Sequence, residues 1–253
     1  MRAISLFPLL LFLSACATAP VTGRPQLILI SPQQSVALGI EAYDRIKRRM
    51  PIVTGTEEAR RVARVGRAIA AVIPSAEGFE WEFTLFEADE ANAFALPGGK
   101  VGVNTGLFKV AKNDAQLAAV LGHEIAHVTA RHAAERMSRN LVTELGLGIL
   151  GAATRSRSAV DLAAAAATLG AGLPFSRAQE AEADHIGLIY MAKAGYDPRE
   201  AIRLWRNFAA FDGDRPPPFL STHPAPENRI ALLERELPEA LAVYEAAQRE
   251  QRS

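Results

Sequence analysis

The stretch Gly122-His123-Glu124-Ile125-Ala126-His127-Val128 decides the fold, because it sets two histidines and a glutamate in an apolar part of the chain. From Asp114 to about Arg139 there is no proline, Gly122 is the only glycine, and apolar residues recur at helical spacing. This pattern predicts one long, buried helix. Residues four apart face the same way on a helix, so both imidazoles can reach one metal ion. Burial of these side chains without such a partner would be costly, so the stretch predicts a zinc-binding helix.

Glu124 is the predicted catalytic base, since it follows the first histidine and can act on a water molecule without occupying a coordination position. A catalytic zinc also needs a third protein ligand and one open position. The metzincin pattern would supply a histidine six residues after His127, but alanine stands there. His132 is therefore interpreted as a hydrogen-bonding histidine on the same helix.

Downstream carboxylates are the remaining candidates for the third ligand. Ser176-Arg177-Ala178-Gln179 has the capping-box pattern that begins a new helix, and Glu180 and Asp184 lie four apart on one face of that helix. If this helix crosses the first, Glu180 can reach the metal and Asp184 can bond the free nitrogen of a ligand histidine. A solvated acidic face at a helix N-terminus explains the same residues. The downstream candidates are Glu135, Glu144, Asp161, Glu180, Glu182 and Asp184. Glu135 lies on the same predicted helix as His127 and is not expected to fold back to the metal, and spacing alone does not choose among Glu180, Glu182 and Asp184.

The rest of the chain predicts an α+β fold, mainly helical, with a small antiparallel sheet. Helices are predicted from about Pro32 to Arg49, Glu57 to Val72, Ser176 to Gly195 and Asp197 to about Phe211, with a further helix at the C-terminus. Strands are predicted at Glu80 to Leu85, and at Asn92 to Leu96 and Lys100 to Asn104, which form a hairpin around Pro97-Gly98-Gly99. The Ala/Gly-rich segment 141–175 is predicted to be a helical hairpin or a mobile flap, since its apolar halves are too short to span a membrane. Residues 32–253 are interpreted as a single domain.

The N-terminus has the features of a secretory signal peptide over residues 1–15. Leu13-Ser14-Ala15-Cys16 resembles a bacterial lipobox, which predicts cleavage before Cys16, lipid attachment to it, and a membrane-anchored tether over residues 16–31. Ala17 follows the cysteine where inner-membrane retention would usually show aspartate, so we expect an outer-membrane lipoprotein facing the periplasm. An ordinary signal peptide with an incidental cysteine is the alternative.

Charge and cysteine content exclude other classes. The formal net charge is +0, from 28 basic and 28 acidic residues, and no block of basic residues occurs, so nucleic acid is not an expected partner. The chain has 1 cysteine, which excludes a disulfide within it.

Two separated motifs resemble one family of zinc peptidases. His123 to His132, followed by Ser176 to Asp184, closely resembles the HtpX and CAAX-prenyl-protease type of zinc metallopeptidase, a gluzincin family with a zincin-like domain. Asn92 to Gly99 and Thr105-Gly106-Leu107 resemble the strand region that precedes the zinc helix in that family. The resemblance covers residues from about 40 to 232 and is nearest to periplasmic lipoprotein members.

This resemblance implies a role for each matching residue. His123, His127 and Glu180 would hold one zinc ion per chain, Glu124 would be the base, and Asp184 would support a ligand histidine from behind.

Three further positions match the family outside these motifs. His223 matches a loop histidine that in some members caps the zinc as a regulatory fourth ligand; without the resemblance it would be a turn histidine beside proline. Asn92 and Arg229 match positions expected to line the site.

The implied function is zinc-dependent endoproteolysis of unfolded or misassembled envelope proteins, with outer-membrane protein assembly factors as partners. A substrate strand would add to the sheet edge near Asn92 to Leu96. Two alternatives stay open: a zinc-stabilised chaperone or scaffold lipoprotein, in which His223 is a permanent fourth ligand, and hydrolysis of a non-peptide amide such as a cell-wall crosslink.

Overall fold

The structure, a computed structural model, describes residues 16–19, 21–73, 79–154, 175–211, 217–224 and 228–252. Within these residues helices predominate over short strands, which confirms the predicted α+β class. The elements are β1 (Cys16–Thr18), β2 (Pro25–Leu27), α1 (Pro32–Arg49), β3 (Ile52–Val53), α2 (Glu57–Ala71), β4 (Glu82–Phe86), β5 (Ala93–Leu96), β6 (Lys100–Asn104), α3 (Asp114–Thr129), α4 (His132–Thr154), α5 (Arg177–Lys193), α6 (Arg199–Ala209), α7 (Pro218–Thr222) and α8 (Arg229–Glu250).

The main sheet has four strands in the order β3-β4-β6-β5. β5 and β6 form the predicted antiparallel hairpin, and its turn contains Gly98 and Gly99 with φ angles of 89° and 80°. Because the chain reverses at this turn, β6 runs in the same direction as β4 and pairs with it in parallel, with Glu82 beside Lys100. The sheet predicted as antiparallel is therefore mixed, since alternation within each strand does not determine strand order.

α3 carries the histidine motif through the centre of the domain. It begins at Asn113, whose side chain accepts a hydrogen bond of 2.8 Å from the backbone N–H of Gln116. Every residue from Gln116 to Thr129 is buried, as predicted for this helix. α2, α5, α6 and β5 pack around it. The motif therefore lies in the core and not on a surface face.

The prediction of one helix from Asp114 to about Arg139 was wrong, because the chain breaks at Ala130 and Arg131. Arg131 has a φ angle of 58°, in the left-handed region that a non-glycine residue adopts at a cost. α4 then begins at His132 in a new direction. Neither glycine nor proline marks this break, so the local sequence gave no sign of it. After the break, Nδ1 of His132 lies 2.9 Å from Nδ1 of His127.

α3 and α5 cross with their backbones in contact. A β-carbon placed on Gly122 would lie 2.8 Å from the carbonyl oxygen of Gly187, and one on Gly187 would lie 2.7 Å from the backbone nitrogen of His123. Only glycine at both positions permits so close an approach. α5 begins with the predicted capping box at Ser176. The crossing brings the first two turns of α5 against the histidine motif.

Two predicted segments lie wholly or partly outside the described residues. The signal peptide over residues 1–15 is one of them. Of the predicted hairpin or flap over residues 141–175, α4 accounts for the part up to Thr154, and residues 155–174 are not described. Among the helices that the structure describes, none is both long and apolar enough to cross a membrane.

Candidate active site

Four buried side chains from three separate elements point at one place in the core. His123 and His127 come from α3, Glu180 from the first turn of α5, and His223 from the loop after α7. One possible ligand atom from each lies within 4.8 Å of every other. The Nε2 atoms of His123 and His127 are 3.1 Å apart, and the carboxylate of Glu180 lies 3.4 Å from each of them.

This group fits a divalent metal ion. Two imidazole nitrogens 3.1 Å apart, with the Glu180 carboxylate 3.4 Å from each, offer lone pairs to a shared point. Oε2 of Glu180 is buried and forms no hydrogen bond among the described residues, although it lies 3.5 Å from Nη2 of Arg229. A buried carboxylate oxygen without a hydrogen bond is costly, and a metal ion at this point would satisfy it. Two histidines and one carboxylate are a common ligand set for catalytic zinc.

Burial and hydrogen bonding determine which side chains of the group are charged. Burial would raise the pKa of Glu180, but hydrogen bonds from the surrounding histidines lower it far below its usual value, so the side chain is anionic. Burial also lowers the pKa of His127 and favours its neutral form. Burial would lower the pKa of His123, but bonding to Asp184 and Glu180 raises it overall. Metal ligands need an ionised carboxylate and imidazole lone pairs, which is consistent with the states of Glu180 and His127.

Nδ1 of His123 contacts a buried ion pair between Asp184 and Arg229. Asp184 accepts a hydrogen bond of 2.9 Å from Nδ1 of His123, which leaves the Nε2 lone pair free to face the group. Arg229 donates to the same carboxylate through Nη2. The guanidinium of Arg229 also lies 3.4 Å from the ring centroid of Trp205, and its Nη1 lies 3.5 Å from the carbonyl oxygen of His223. Arg229 therefore connects Asp184 to the loop that carries His223.

Glu124 is buried beside this group but is not one of the four possible metal ligands. Its carboxylate is hydrogen-bonded to the backbone of Ala95 in β5, and burial raises its pKa. Its Oε1 lies 3.2 Å from Nε2 of His223 and has no hydrogen-bond partner among the described residues. His223 stacks on Phe219 with ring centroids 4.7 Å apart, and its Nδ1 lies 3.1 Å from Glu180. His223 thus contacts both Glu124 and Glu180.

The other carboxylates suggested by the sequence lie elsewhere where the structure describes them: Glu144 is exposed on α4, and Asp161 lies outside the described residues. Glu182 and Glu135 face away from the group and contact His132 and Arg24. The hydrogen-bonding role expected for His132 is present, although His132 belongs to α4 and not to the helix of His127. Asn92 precedes β5, and its Oδ1 is buried without a hydrogen-bond partner among the described residues. Its site-lining role stays a prediction.

A cavity of about 380 Å³ opens next to His127. It lies between the first turn of α1, the end of β5 and the C-terminal end of α3. Small and apolar residues make up much of its wall, among them Pro32, Val36, Ala95, Pro97, Val128 and Ala134. The cavity can therefore accept an apolar side chain beside the metal-binding group.

A buried helix with an H-E-x-x-H motif, crossed by a second helix that supplies a glutamate, defines a zincin-like metallopeptidase domain. Residues 56–237 match peptidase family M48, and the chain therefore belongs to this family. The predicted membership of a zinc metallopeptidase family is confirmed. Peptidases of family M48 depend on zinc, which together with the buried ligand group confirms the predicted cofactor.

Two kinds of named relatives are similar to the chain. Mitochondrial metalloendopeptidase OMA1 of Arabidopsis thaliana is 41% identical over 174 residues, which are 68% of this chain and 35% of that protein. OMA1 of Saccharomyces cerevisiae is 31% identical over 246 residues, covering 90% of this chain and 70% of that protein. Beta-barrel assembly-enhancing protease of Escherichia coli K12 is 30% identical over 230 residues, 87% of this chain and 47% of that protein. The chain thus spans about a third to about two thirds of the length of these relatives.

Proposed function

We propose that this protein is a zinc-dependent endopeptidase in which His123, His127 and Glu180 hold the metal. The observation that carries this proposal is the meeting of the two imidazoles with the Glu180 carboxylate, 3.4 Å from each, at a buried point. Membership of peptidase family M48 and the metalloendopeptidase names of the relatives support it. Glu182 is a poorer candidate for the third ligand, because its carboxylate bonds His132 and Arg24.

Bound zinc supplies a Lewis acid that polarises the carbonyl group of the scissile bond. Glu124 takes the proton from the attacking water and passes it to the leaving amine. Burial raises the pKa of its carboxyl group, which brings it closer to the neutral range where one group can both accept and donate a proton. Asp184 fixes the ring of His123 throughout, through the bond at 2.9 Å.

Substrate binding is proposed at the edge of the sheet. β5 ends the strand order and pairs with β6 on one side, and its Ala95 backbone contacts Glu124. An extended peptide that adds to the other side of β5 would lie beside Glu124, with one side chain in the cavity next to His127. Main-chain hydrogen bonds recognise any extended segment, so unfolded or misassembled proteins are the proposed substrates. Equal rates on a folded protein and its unfolded form would contradict this specificity.

We further propose that His223 holds such an enzyme in a latent state. His223 lies 3.1 Å from Glu180, 3.3 Å from Nε2 of His123 and 3.2 Å from Glu124, so its ring contacts the proposed base and two of the proposed ligands. Substrate cleavage then requires movement of the loop that carries His223. The same contacts favour a second candidate function, a zinc-stabilised scaffold in which His223 is a permanent fourth ligand, since closed four-ligand sites are structural.

His223→Ala separates these two functions. A latent endopeptidase would keep its zinc and cleave casein faster than the wild type, whereas a scaffold would lose zinc affinity and show no cleavage. Thr222→Ala is the matched control, because this neighbouring side chain is exposed and bonds backbone carbonyls within α7. Unchanged zinc binding and unchanged cleavage in His223→Ala would contradict both.

Glu124→Gln tests the endopeptidase directly. The amide keeps the size of the side chain but cannot take a proton, so casein cleavage should fall by about 10²–10⁴-fold. Bound zinc should stay at the wild-type amount, because Glu124 is not one of the proposed ligands. Cleavage at the wild-type rate would exclude Glu124 as the base. Parallel assays on casein and on peptidoglycan distinguish peptide hydrolysis from cleavage of cell-wall crosslinks.

The proposed location is the bacterial envelope, with a lipid on Cys16 that anchors the protein to the outer membrane. The lipobox-like sequence before Cys16 supports this location. A relative named for enhancing beta-barrel assembly makes outer-membrane protein assembly factors the proposed partners, whereas the OMA1 relatives are named as mitochondrial. Mass spectrometry of the N-terminal peptide should show an acylated Cys16 in membrane fractions, and Cys16→Ala should be released from the membrane. An unmodified N-terminal cysteine would contradict the anchor.

A further inference from the structure

The second nitrogen of His127 has an unusual partner. While Nε2 of His127 faces the metal-binding group, its Nδ1 lies 2.9 Å from Nδ1 of His132. Nε2 of His132 in turn lies 3.0 Å from Oε2 of Glu182. Both histidines are buried, with 3% of His127 and 0% of His132 exposed. The ring of His127 is therefore connected to a carboxylate through a second imidazole.

Metal coordination determines the direction of every hydrogen bond in this chain. If His127 binds zinc through Nε2, its proton is on Nδ1, which then donates to Nδ1 of His132. His132 consequently carries its own proton on Nε2 and donates it to Glu182. Each donor meets one acceptor, so the neutral form of both rings is satisfied. The chain ends on an anion, which strengthens the bonds that precede it.

Glu182 is held by a segment that is distant in sequence. Arg24 donates to Glu182 through Nε at 2.6 Å, and the hydroxyl of Thr22 bonds the other carboxylate oxygen. The other end of the Arg24 guanidinium forms a paired contact with Glu135, at 3.0 and 2.8 Å. Gln26 bonds the carbonyl oxygen of Ala130 at 2.6 Å, at the break between α3 and α4. Residues 22–26, which we call the N-terminal strap, thus contact both α4 and α5.

We propose that His132 and Glu182 are positioning residues for His127, and that Arg24 of the N-terminal strap completes this support. The inference rests on the proposed function, because it takes His127 to be a zinc ligand. Partners of this kind fix the orientation of a ligand ring and raise its basicity, and their loss typically costs about 10–100-fold in metal affinity. The strap lies outside residues 56–237, the part that matches family M48, yet its contacts reach His127 in three steps: Arg24 to Glu182, Glu182 to His132, and His132 to His127.

Substitution of His132 tests the support of His127. His132→Leu removes both hydrogen bonds and should weaken zinc binding by about 10–100-fold. His132→Gln keeps one acceptor and one donor on the side chain and should recover part of that loss. The measurement is the zinc dissociation constant from chelator competition, together with the visible absorption of the cobalt-substituted protein, which reports ligand geometry. A side chain with a merely structural role would shift the unfolding midpoint of the metal-free protein and leave affinity and spectrum unchanged.

Substitution of Arg24 tests the strap and keeps the inference testable if His132→Leu does not fold. Arg24→Gln should weaken zinc binding less than His132→Leu does, because Arg24 is two contacts further from the metal. Arg61→Gln is the matched control. Arg61 forms an ion pair of 2.8 Å with Asp114, and its side chain is 21% exposed against 26% for Arg24, but it lies far from the metal-binding group. Arg61→Gln should lower stability and keep the wild-type zinc affinity.

Two outcomes would overturn the inference. Zinc affinity within twofold of the wild type in His132→Leu or, if that variant does not fold, in Arg24→Gln would show that His127 needs no support from this side. Equal affinity losses in Arg24→Gln and Arg61→Gln would show a general effect of stability. His127→Ala serves as the reference: if it also keeps its zinc, the proposed function fails, whereas if it loses zinc while His132→Leu does not, only the positioning role fails.

Discussion

The two histidines proposed as metal ligands lie four residues apart on one helix, but they are supported in different ways. His123 bonds a carboxylate directly, since Asp184 lies 2.9 Å from its Nδ1 and is itself paired with Arg229. Among the described residues no carboxylate contacts Nδ1 of His127 directly; His127 is connected to Glu182 through the ring of His132. The first arrangement is built within the family segment 56–237, whereas the second ends in residues that precede it.

This difference shows how one motif can depend on two parts of the chain. The His123 side needs the crossing of α3 and α5, since Asp184 lies on the same face of α5 as Glu180, and the ion pair of Asp184 with Arg229 at the start of α8. The His127 side needs the left-handed break at Arg131, which turns His132 back, and the strap that holds Glu182. We therefore expect the His123 side to survive changes near the N-terminus and the His127 side to be sensitive to them.

The largest effect is expected for Glu180→Ala, which removes the residue shared by both sides. The variant should lose most of its zinc on dialysis and cleave no casein, because His123 and His127 then lack their carboxylate partner and only His223 remains to complete the ligand set. Elemental analysis of the purified protein measures this. Glu234→Ala, at an exposed ion pair on α8, should keep its zinc. If Glu180→Ala still bound one zinc per chain, another carboxylate would have to be the third ligand, and Glu182 would be the first candidate.

Gly187→Ala should disrupt the crossing on which both sides depend. The added methyl group would lie 2.7 Å from the backbone nitrogen of His123, so the helices must separate. The expected cost is about 1–3 kcal/mol of unfolding free energy, which exceeds the ~1 kcal/mol that alanine gains in helix propensity. Urea unfolding of the metal-free protein measures it. Gly122→Ala meets the same contact, so the double variant should lose less than the sum of the two. A Gly187→Ala protein more stable than the wild type would show that the crossing is looser.

Asp184→Ala removes the carboxylate that contacts His123 and leaves the partners of His127 in place. Zinc affinity should fall by about 10–100-fold, since His123 loses the acceptor that orients its ring. Asp184→Asn keeps an acceptor at this position and should lose less. Chelator competition, run beside His132→Leu, compares the two sides on one scale. If Asp184→Ala keeps the wild-type zinc affinity while His132→Leu loses affinity, the contact of Asp184 with His123 contributes less to zinc binding than the contact of His132 with His127.

The smallest effect is expected for Glu135→Gln, which weakens the strap without touching the metal-binding group. Burial would raise the pKa of Glu135, but Arg24 and Gln179 lower it overall. A carboxyl group with a lowered folded-state pKa adds stability above its unfolded value of about 4.3, and this stability is lost as the pH falls through the folded value. Between pH 5 and pH 3 the unfolding free energy should therefore fall less in Glu135→Gln than in the wild type. Identical slopes would show that the strap contact carries no charge-dependent stability.

Much of the site could be predicted from local pattern, and the parts that could not depend on tertiary contacts. The histidine spacing and the capping box at Ser176 are local signals: α5 begins where the capping box predicts, and α3 begins at Asp114 as predicted but ends at Thr129. Spacing could not choose between Glu180 and Glu182, because that choice depends on which face of α5 meets α3. Gly187 is the feature that determines this face, and its pairing with Gly122 was a signal that sequence reasoning missed.

The break at Arg131 could not be predicted, since nothing in the local sequence favours a left-handed residue there. The contacts of His132 with His127 and Glu182, together with the bond from Gln26 to Ala130, fix it from outside the helix. The role of Arg24 could not be predicted from the local sequence either. Its partners Glu135 and Glu182 are more than a hundred residues away in sequence.

Anomalous diffraction at the zinc absorption edge, from crystals of the zinc-loaded full chain, tests the central claim most directly. We predict one zinc peak per chain, with Nε2 of His123, Nε2 of His127 and a Glu180 carboxylate oxygen at about 2.0–2.2 Å from it. In the same map Nδ1 of His127 should remain in contact with His132. A peak elsewhere, or one that lacks Glu180 in its coordination shell, would contradict the account.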